Sequence, residues 1–185
     1  MTLAADGCFI AVVGPSGVGK DSLIDAARVH FGENGNVRFV RRVITRPATA
    51  GGEDHVAVSA AEFESMRDAG AFILDWQSHG LSYGIPTDIR DDLLAGRSVL
   101  ANLSRAVIPA ARQKFENFRV IVVTAPVPVL AARLAARGRE DQADIEERLR
   151  RAPQDQPVGD DVTIVENAAD LDVAASRFID AIALA

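Results

Sequence analysis

Residues 14–20, GPSGVGK, place three glycines and a lysine at a spacing suited to binding phosphate. Glycines let the backbone curl so that successive N–H groups point at phosphate oxygens. Lys20 adds a mobile ammonium group that can reach the β- and γ-phosphates of a nucleoside triphosphate. A chance glycine-rich turn is the alternative, but here the loop lies between a buried strand and a helix. We therefore expect nucleotide phosphates to bind at Gly14, Pro15, Ser16, Gly17, Val18, Gly19, Lys20, Asp21 and Ser22.

The residue after the lysine departs from the usual phosphate loop, which has serine or threonine there to bind Mg²⁺. This chain has Asp21, followed by Ser22. A carboxylate next to a triphosphate is repelled unless a cation lies between them, and carboxylate oxygen is a ligand that suits Mg²⁺. Asp21 therefore either contacts Mg²⁺, directly or through water, or only caps the following helix. Both interpretations are open.

The elements that must position this loop alternate between strands and helices. Short apolar runs predict strands at 8–13, 98–103, 118–124 and 161–165, in addition to a second strand before Arg41. Helical patterns lie at 21–30, 105–116, 126–137, 141–152 and about 169–184. Such alternation requires right-handed crossovers and a parallel sheet. The sequence predicts a three-layer α/β fold with a mostly parallel five-stranded sheet flanked by helices.

The interval 38–97 interrupts the alternation. It contains an arginine cluster, a glycine pair, the apolar run AFILDW at 71–76 and the turn-like run HGLSYGIP at 79–86. Ser59 and Glu62 have the spacing of a capping box, which predicts a short helix. We interpret this interval as an insertion beside the main sheet, within a single domain.

Composition excludes several classes of function. The chain has 185 residues, of which 48% are hydrophobic, and its one cysteine excludes a disulfide framework and a multi-cysteine metal site. A net charge of −6 argues against nucleic acid and against membrane surfaces as partners. No apolar run reaches the roughly 18 residues of a membrane span, and the N-terminus lacks a secretory n-region. We expect a cytoplasmic protein.

Three blocks of the sequence resemble the guanylate-kinase-like nucleotide kinases. They are GPSGVGKDSL at 14–23, ITRPATAGGEDH at 44–55 with GAFILDW at 70–76 and YGIP at 83–86, and RLAARGREDQADIEERL at 133–149. The blocks keep the family's order and span nearly the whole chain. The resemblance implies a P-loop NTPase fold that uses ATP and Mg²⁺. It divides the domain, 1–185, into a core (6–37, 98–132 and 153–185), an acceptor-binding insertion at about 38–97 and a helical lid at about 133–152.

The acceptor side departs from guanylate kinase itself. The family's second arginine falls on Thr49, its phosphate-binding tyrosine on His55 and its guanine-reading glutamate on Asp75, and its D-x-D motif is absent from 101–105. The combination GKDSL, HGLSYGIP and N-x-SRA at 102–106 is instead similar to the ribose 1,5-bisphosphate phosphokinases. That resemblance implies ATP-dependent formation of 5-phosphoribosyl 1-diphosphate from a small phosphorylated sugar, in phosphonate breakdown. A guanylate or other nucleoside monophosphate kinase and a non-catalytic binding module are the alternatives, and no oligomeric state is predicted.

Arginines and hydrogen-bonding side chains are the candidates for binding the acceptor. In a strand Arg42 and Arg46 share one face, and guanidinium groups bind phosphate bidentately. The resemblance gives Arg46 and Tyr83 phosphate contacts. The alternative for the arginines is a solvated surface position, and for Tyr83 it is a half-buried ring with its hydroxyl in water. Asn102 and Arg105 lie at the carboxyl end of a strand, where open α/β sheets bind ligands.

Three further candidates each have a plain structural alternative. His55 and His79 could hydrogen-bond the sugar or its phosphates, or be ordinary turn or surface residues. Asp75 could accept hydrogen bonds from ribose hydroxyls, or simply follow an apolar strand. Trp76, beside it, is expected to belong to the core.

The lid candidates are arginines. Arg133 and Arg137 lie one turn apart on one helix face, and Arg148 lies on the next helical pattern. The resemblance gives Arg137 and Arg148, together with Lys20, the catalytic role of neutralising charge on the transferred phosphoryl group. Surface ion pairs with neighbouring glutamates are the alternative for the arginines.

Overall fold

Five parallel strands form the main sheet of the computed structural model, which describes residues 2–32, 35–50, 53–137, 156–168 and 170–185. They are β1 (Phe9–Val13), β2 (Val37–Phe39), β7 (Ser98–Asn102), β8 (Phe118–Thr124) and β9 (Val162–Glu166). Their order is β2-β7-β1-β8-β9, and every pair is parallel. The central strand β1 is wholly buried, as its unbroken apolar run requires. The predicted α/β fold with a five-stranded sheet is confirmed.

Helices cover both faces of this sheet, which gives three layers. On one face pack α1 (Lys20–Phe31), α5 (Val127–Arg137) and α6 (Leu171–Ala183), through side chains such as Leu23, Leu130 and Phe178. On the other face pack α3 (Ile89–Leu94) and α4 (Ile108–Lys114), through side chains such as Leu93 and Ile108. The residues of β1 alternate between these two cores, as the strand period dictates. The predicted helix at 141–152 lies outside the described residues.

A second, four-stranded sheet lies within the interval 38–97. Its strands are β3 (Val43–Ile44), β4 (Val56–Ala57), β5 (Phe72–Ser78) and β6 (Leu81–Pro86), in the order β4-β3-β6-β5. Before it, Arg38 and Phe39 still pair with β7 in the main sheet. The helix α2 (Ala60–Asp68) begins with the predicted capping box, in which the Ser59 hydroxyl accepts from the Glu62 N–H at 3.2 Å and the Glu62 carboxylate accepts from the Ser59 N–H at 2.7 Å.

The run HGLSYGIP is a turn only at its first two residues. His79 and Gly80 have φ values of 50° and 72°, as a tight two-residue hairpin requires. The remaining residues form β6, because they pair with β5 on one side and, at Tyr83 and Gly84, with β3 on the other. None of the helices within the described ranges is long and apolar enough to span a membrane.

Candidate active site

The phosphate loop connects β1 to α1, as predicted, and its glycines cannot carry side chains. A Cβ atom on Gly14 would lie 2.4 Å from the Val123 carbonyl oxygen, and one on Gly19 would lie 2.5 Å from the Asn167 side chain. Both residues also have positive φ values, 155° and 91°. The neighbours Val123 and Asn167 therefore leave room only for glycine at these two positions, and glycine permits the curled backbone that a phosphate loop needs.

Lys20 lies against its own loop. Its Nζ donates to the carbonyl oxygens of Gly14 at 2.8 Å and Pro15 at 3.0 Å. Burial lowers the pKa of this ammonium group to about 8; Asp21 and Glu53 counter that fall, whereas Arg42 and Arg105 add to it. The nearby negative charge does not fully offset the burial of the Lys20 ammonium group. The phosphates of a nucleotide would supply more negative charge and so stabilise the charged form of Lys20.

Asp21 does not cap helix α1. Gly19 is the N-cap residue, no side chain caps this end, and Asp21 follows in the first turn, where it lines the cleft beside Lys20. Within the described ranges no three His, Cys, Asp or Glu side chains form a group that could hold a metal ion. A single carboxylate nevertheless fits Mg²⁺, which usually takes one or two carboxylates and completes its octahedron with phosphate oxygens and water.

A cleft of about 360 Å³, named here the phosphate cleft, lies between the phosphate loop and the second sheet. It gathers the predicted residues Gly14, Ser16, Gly17, Gly19, Lys20, Asp21, Ser22, Arg42, Arg46, His79, Tyr83 and Asn102. Arg105 borders an adjoining hollow with Ser104 and is close enough to lower the Lys20 pKa. Thus a wall that suits nucleotide phosphates faces a wall that contains two arginines.

The arginine wall is built on stacked rings. Trp76 and Tyr83 stack with centroids 5.3 Å apart, and the Arg42 guanidinium lies 4.9 Å from the Tyr83 ring and 5.7 Å from the Trp76 ring. Trp76, expected in the core, packs there in part but also lines the cleft. Asp75, its neighbour on β5, is exposed and points to the opposite face of the sheet, as strand alternation requires.

His55 connects Arg46 to the loop before β4 and does not line the phosphate cleft. It is 7% exposed, and its Nε2 lies 3.1 Å from the Arg46 carbonyl oxygen. Because a carbonyl only accepts, this contact is a hydrogen bond in the tautomer that carries its proton on Nε2. Its Nδ1 lies 3.2 Å from Arg46 Nη2 and 3.0 Å from the Glu53 carbonyl oxygen. The Arg46 Nε is buried and has no hydrogen-bond partner among the described residues, so this arginine keeps donor capacity.

Glu53 is a cleft residue that the sequence analysis missed. Its Oε1 accepts from Arg42 Nε at 2.8 Å, and its Oε2 accepts from Asn102 Nδ2 at 2.9 Å. It thereby connects two predicted acceptor residues that come from different sheets. The signal that could have indicated it is its place in the block ITRPATAGGEDH at 44–55, which carries part of the family resemblance.

Asn167 and Arg133 support the phosphate loop from behind. Asn167 is 2% exposed, and its Nδ2 donates to the Val18 carbonyl oxygen at 2.8 Å. Arg133 Nη1 donates to the same oxygen at 3.2 Å and to the Asn167 carbonyl oxygen at 3.1 Å. Arg133 therefore contacts the phosphate loop, and the glutamates at 140, 146 and 147 lie outside the described residues. Arg137 ends α5, but its side chain, like all of Arg148, lies outside what the structure describes.

Comparison with known proteins gives relatives that cover nearly the whole chain, although no protein-family model matches it. Ribose 1,5-bisphosphate phosphokinase PhnN of Ruegeria sp. (strain TM1040) is 54% identical over 158 residues, 85% of this chain and 82% of that protein. The protein of the same name from Brucella melitensis biotype 2 is 42% identical over 173 residues, 94% of this chain and 90% of that protein. Guanylate kinase from Anaplasma phagocytophilum has a similar fold, with a TM-score of 0.68 at 19% identity, covering 99% of this chain and 88% of that one.

Proposed function

The chain belongs to the ribose 1,5-bisphosphate phosphokinase family, and we propose that it transfers the γ-phosphoryl group of ATP to the 1-phosphate of ribose 1,5-bisphosphate. The products are 5-phospho-α-D-ribose 1-diphosphate and ADP, with phosphonate breakdown as the pathway served. The observation that carries the proposal is the phosphate cleft, in which Lys20 and the two arginines Arg42 and Arg46 line one cavity. Such a cavity suits two phosphate groups that must meet for transfer.

The phosphate loop and Lys20 hold the donor phosphates, and Arg42, Arg46 and Tyr83 hold the acceptor phosphate. An oxygen of the acceptor phosphate attacks the γ-phosphorus, the bond from that phosphorus to the bridging oxygen breaks, and ADP leaves with the electron pair. A phosphate oxygen needs no general base to attack, so catalysis consists of positioning and charge neutralisation. Mg²⁺, when bound at Asp21, supplies further neutralisation of the phosphate oxygens.

Other residues have different parts in this proposal. His79 at the hairpin tip and Asn102 at the end of β7 bind the sugar hydroxyls, and Arg105 contacts the second phosphate. His55 positions Arg46 rather than touching the substrate, and Asp75, on the far face of β5, is assigned no contact. We further propose the interval at about 38–97 as the acceptor-binding unit and the interval at about 133–152, with Arg137 and Arg148, as the lid.

The deciding experiment offers purified protein ATP and Mg²⁺ with either ribose 1,5-bisphosphate or GMP, and follows the release of ADP. The proposal expects ADP with the sugar bisphosphate. ADP with GMP alone would identify a nucleotide kinase instead, and ADP with neither would favour a non-catalytic module. Lys20→Ala should lower turnover by about 10²- to 10³-fold, whereas Lys114→Ala, which removes the chain's other lysine, should not.

A further inference from the structure

Glu53 bridges the two sheets at the edge of the phosphate cleft. Its Oε1 lies 2.8 Å from Arg42 Nε and 2.6 Å from Arg42 Nη2, and its Oε2 accepts from Asn102 Nδ2 at 2.9 Å. The Glu53 and Arg42 side chains are only 15% and 12% exposed. Arg42 precedes β3 of the second sheet, whereas Asn102 ends β7 of the main sheet. One carboxylate therefore connects the arginine that precedes the second sheet to the end of a strand of the main sheet.

These contacts confine the Arg42 guanidinium on two sides. Its central carbon lies over the Tyr83 and Trp76 rings, 4.9 Å and 5.7 Å from their centroids, and Glu53 holds the edge formed by Nε and Nη2. Its Nη1 makes no hydrogen bond to any residue in the described part of the chain. A free arginine side chain loses rotamer entropy when it is fixed. Here that ordering precedes the arrival of a phosphate.

The charge of Glu53 cannot by itself explain its place. A carboxylate in a phosphate-binding cleft repels the dianion that the cleft must hold. Positioning explains it, because catalysis by neutralisation requires the guanidinium to be in place at the moment of transfer.

We propose that Glu53 is a positioning residue, which holds the Arg42 guanidinium in the orientation that receives the acceptor's phosphate. The identity of that acceptor rests on the proposed function, but the relation between Glu53 and Arg42 does not. Asn102 anchors Glu53 in turn, so the arrangement passes from the main sheet through Glu53 to Arg42.

The test is a double-mutant cycle on the acceptor's kcat/KM, with wild type, Glu53→Ala, Arg42→Ala and the double variant. Glu53→Ala should lower this constant about ten- to hundredfold, mainly through kcat, and leave the KM for ATP within about twofold. Glu53→Gln should recover part of the loss, because its amide oxygen still accepts from Arg42. In the Arg42→Ala background, Glu53→Ala should have no further effect. Glu64→Ala removes an exposed ion pair with Arg67 on α2 and is the matched control, without effect on turnover.

Two results would overturn the inference. In the first, the losses of kcat/KM caused by Glu53→Ala and Arg42→Ala multiply in the double variant. Glu53 would then act independently of Arg42, as a purely structural residue does. The other is a Glu53→Gln enzyme that binds the acceptor more tightly at unchanged kcat, because Glu53 would then only repel. Thermal unfolding checks that each variant is folded. If Glu53→Ala does not fold, the cycle is measured with Glu53→Gln, Arg42→Lys and their double variant instead.

Failure of the proposed function is seen separately, in the wild-type protein. If wild type uses GMP and not ribose 1,5-bisphosphate, the same cycle is measured with GMP. If it turns over neither, the cycle is measured on the Kd of ribose 1,5-bisphosphate by calorimetry. Effects of Glu53→Ala and Arg42→Ala on that Kd that are independent of each other would overturn the inference. So would the absence of binding by all four proteins.

Discussion

Nucleotide binding should drive proton uptake by Lys20 at alkaline pH. Burial lowers the pKa of this group from 10.5 to about 8. At pH 9 about a tenth of Lys20 is therefore charged, whereas nucleotide phosphates that return the pKa to its ordinary range leave it almost fully charged. Binding at pH 9 should take up about 0.9 proton. At pH 7, where about nine-tenths is already charged, uptake should fall to about 0.1 proton.

Isothermal titration calorimetry measures this uptake. ADP is titrated at each pH into protein in two buffers with different ionisation enthalpies, and the difference in observed heat gives the number of protons. ADP itself holds no titrating proton at pH 9, so the uptake belongs to the protein. Lys20→Arg, always charged, should bind without uptake, and Lys114→Ala should behave as wild type. Zero uptake by wild type at pH 9, or equal uptake by Lys20→Arg, would refute the assignment of the lowered pKa to Lys20.

The same shift changes stability in a direction that can be worked out. Between pH 8 and 10.5 the unfolded chain keeps the Lys20 proton that the folded chain has lost. The free energy of unfolding contributed by this group therefore rises with pH through that window in the absence of nucleotide. Subtracting the pH dependence of Lys20→Met, measured by urea unfolding, isolates the contribution. A difference that falls with pH in this window would contradict the sign.

Three further substitutions test the loop and its surroundings. Asp21→Asn should raise the Mg²⁺ concentration needed for half-maximal turnover, and an unchanged Mg²⁺ dependence would remove the metal role. Gly19→Ala should weaken ATP binding about tenfold or more, whereas Gly70→Ala should not. Both glycines have positive φ, but only at Gly19 would the added carbon have a neighbour within 4 Å. Equal ATP binding by the two variants would contradict this prediction. Asn167→Ala should lower the free energy of unfolding by about 1–3 kcal/mol and raise the Kd for ATP, measured by urea titration and calorimetry, because the buried Val18 carbonyl loses a donor.

The phosphate loop could be predicted from sequence because its determinants are local. The strand, the glycines and Lys20 lie within about a dozen residues, and each acts on its near neighbours. The supports of that loop could not be predicted in the same way. Asn167 and Arg133 reach the Val18 carbonyl from more than a hundred residues away along the chain, and no local pattern marks either of them.

The acceptor wall could be predicted only in part, because strand alternation does not say which face of a strand meets the cleft. In β5 the register shifts between Phe72 and Leu74, and the consecutive residues Ile73 and Leu74 are both buried. Trp76 and Asp75 still lie on opposite faces, but this irregularity changes which face each of them occupies relative to the start of the run, so alternation counted from Phe72 does not identify the residue that meets the cleft. The resemblance to guanylate kinases pointed to position 75, whereas the fold presents position 76 to the cleft.

The placement of two carboxylates in a phosphate cleft has a physical explanation. Burial lowers the Lys20 pKa to about 8, and the nearby Arg42 and Arg105 lower it in the same direction. Asp21 and Glu53 oppose that effect, and Glu53 does so while it orders Arg42. The net charge of −6 therefore says little about the cleft, because a small phosphate responds to the groups that line it. A cleft that must hold two phosphate groups in succession keeps its cations charged and in place before either one arrives.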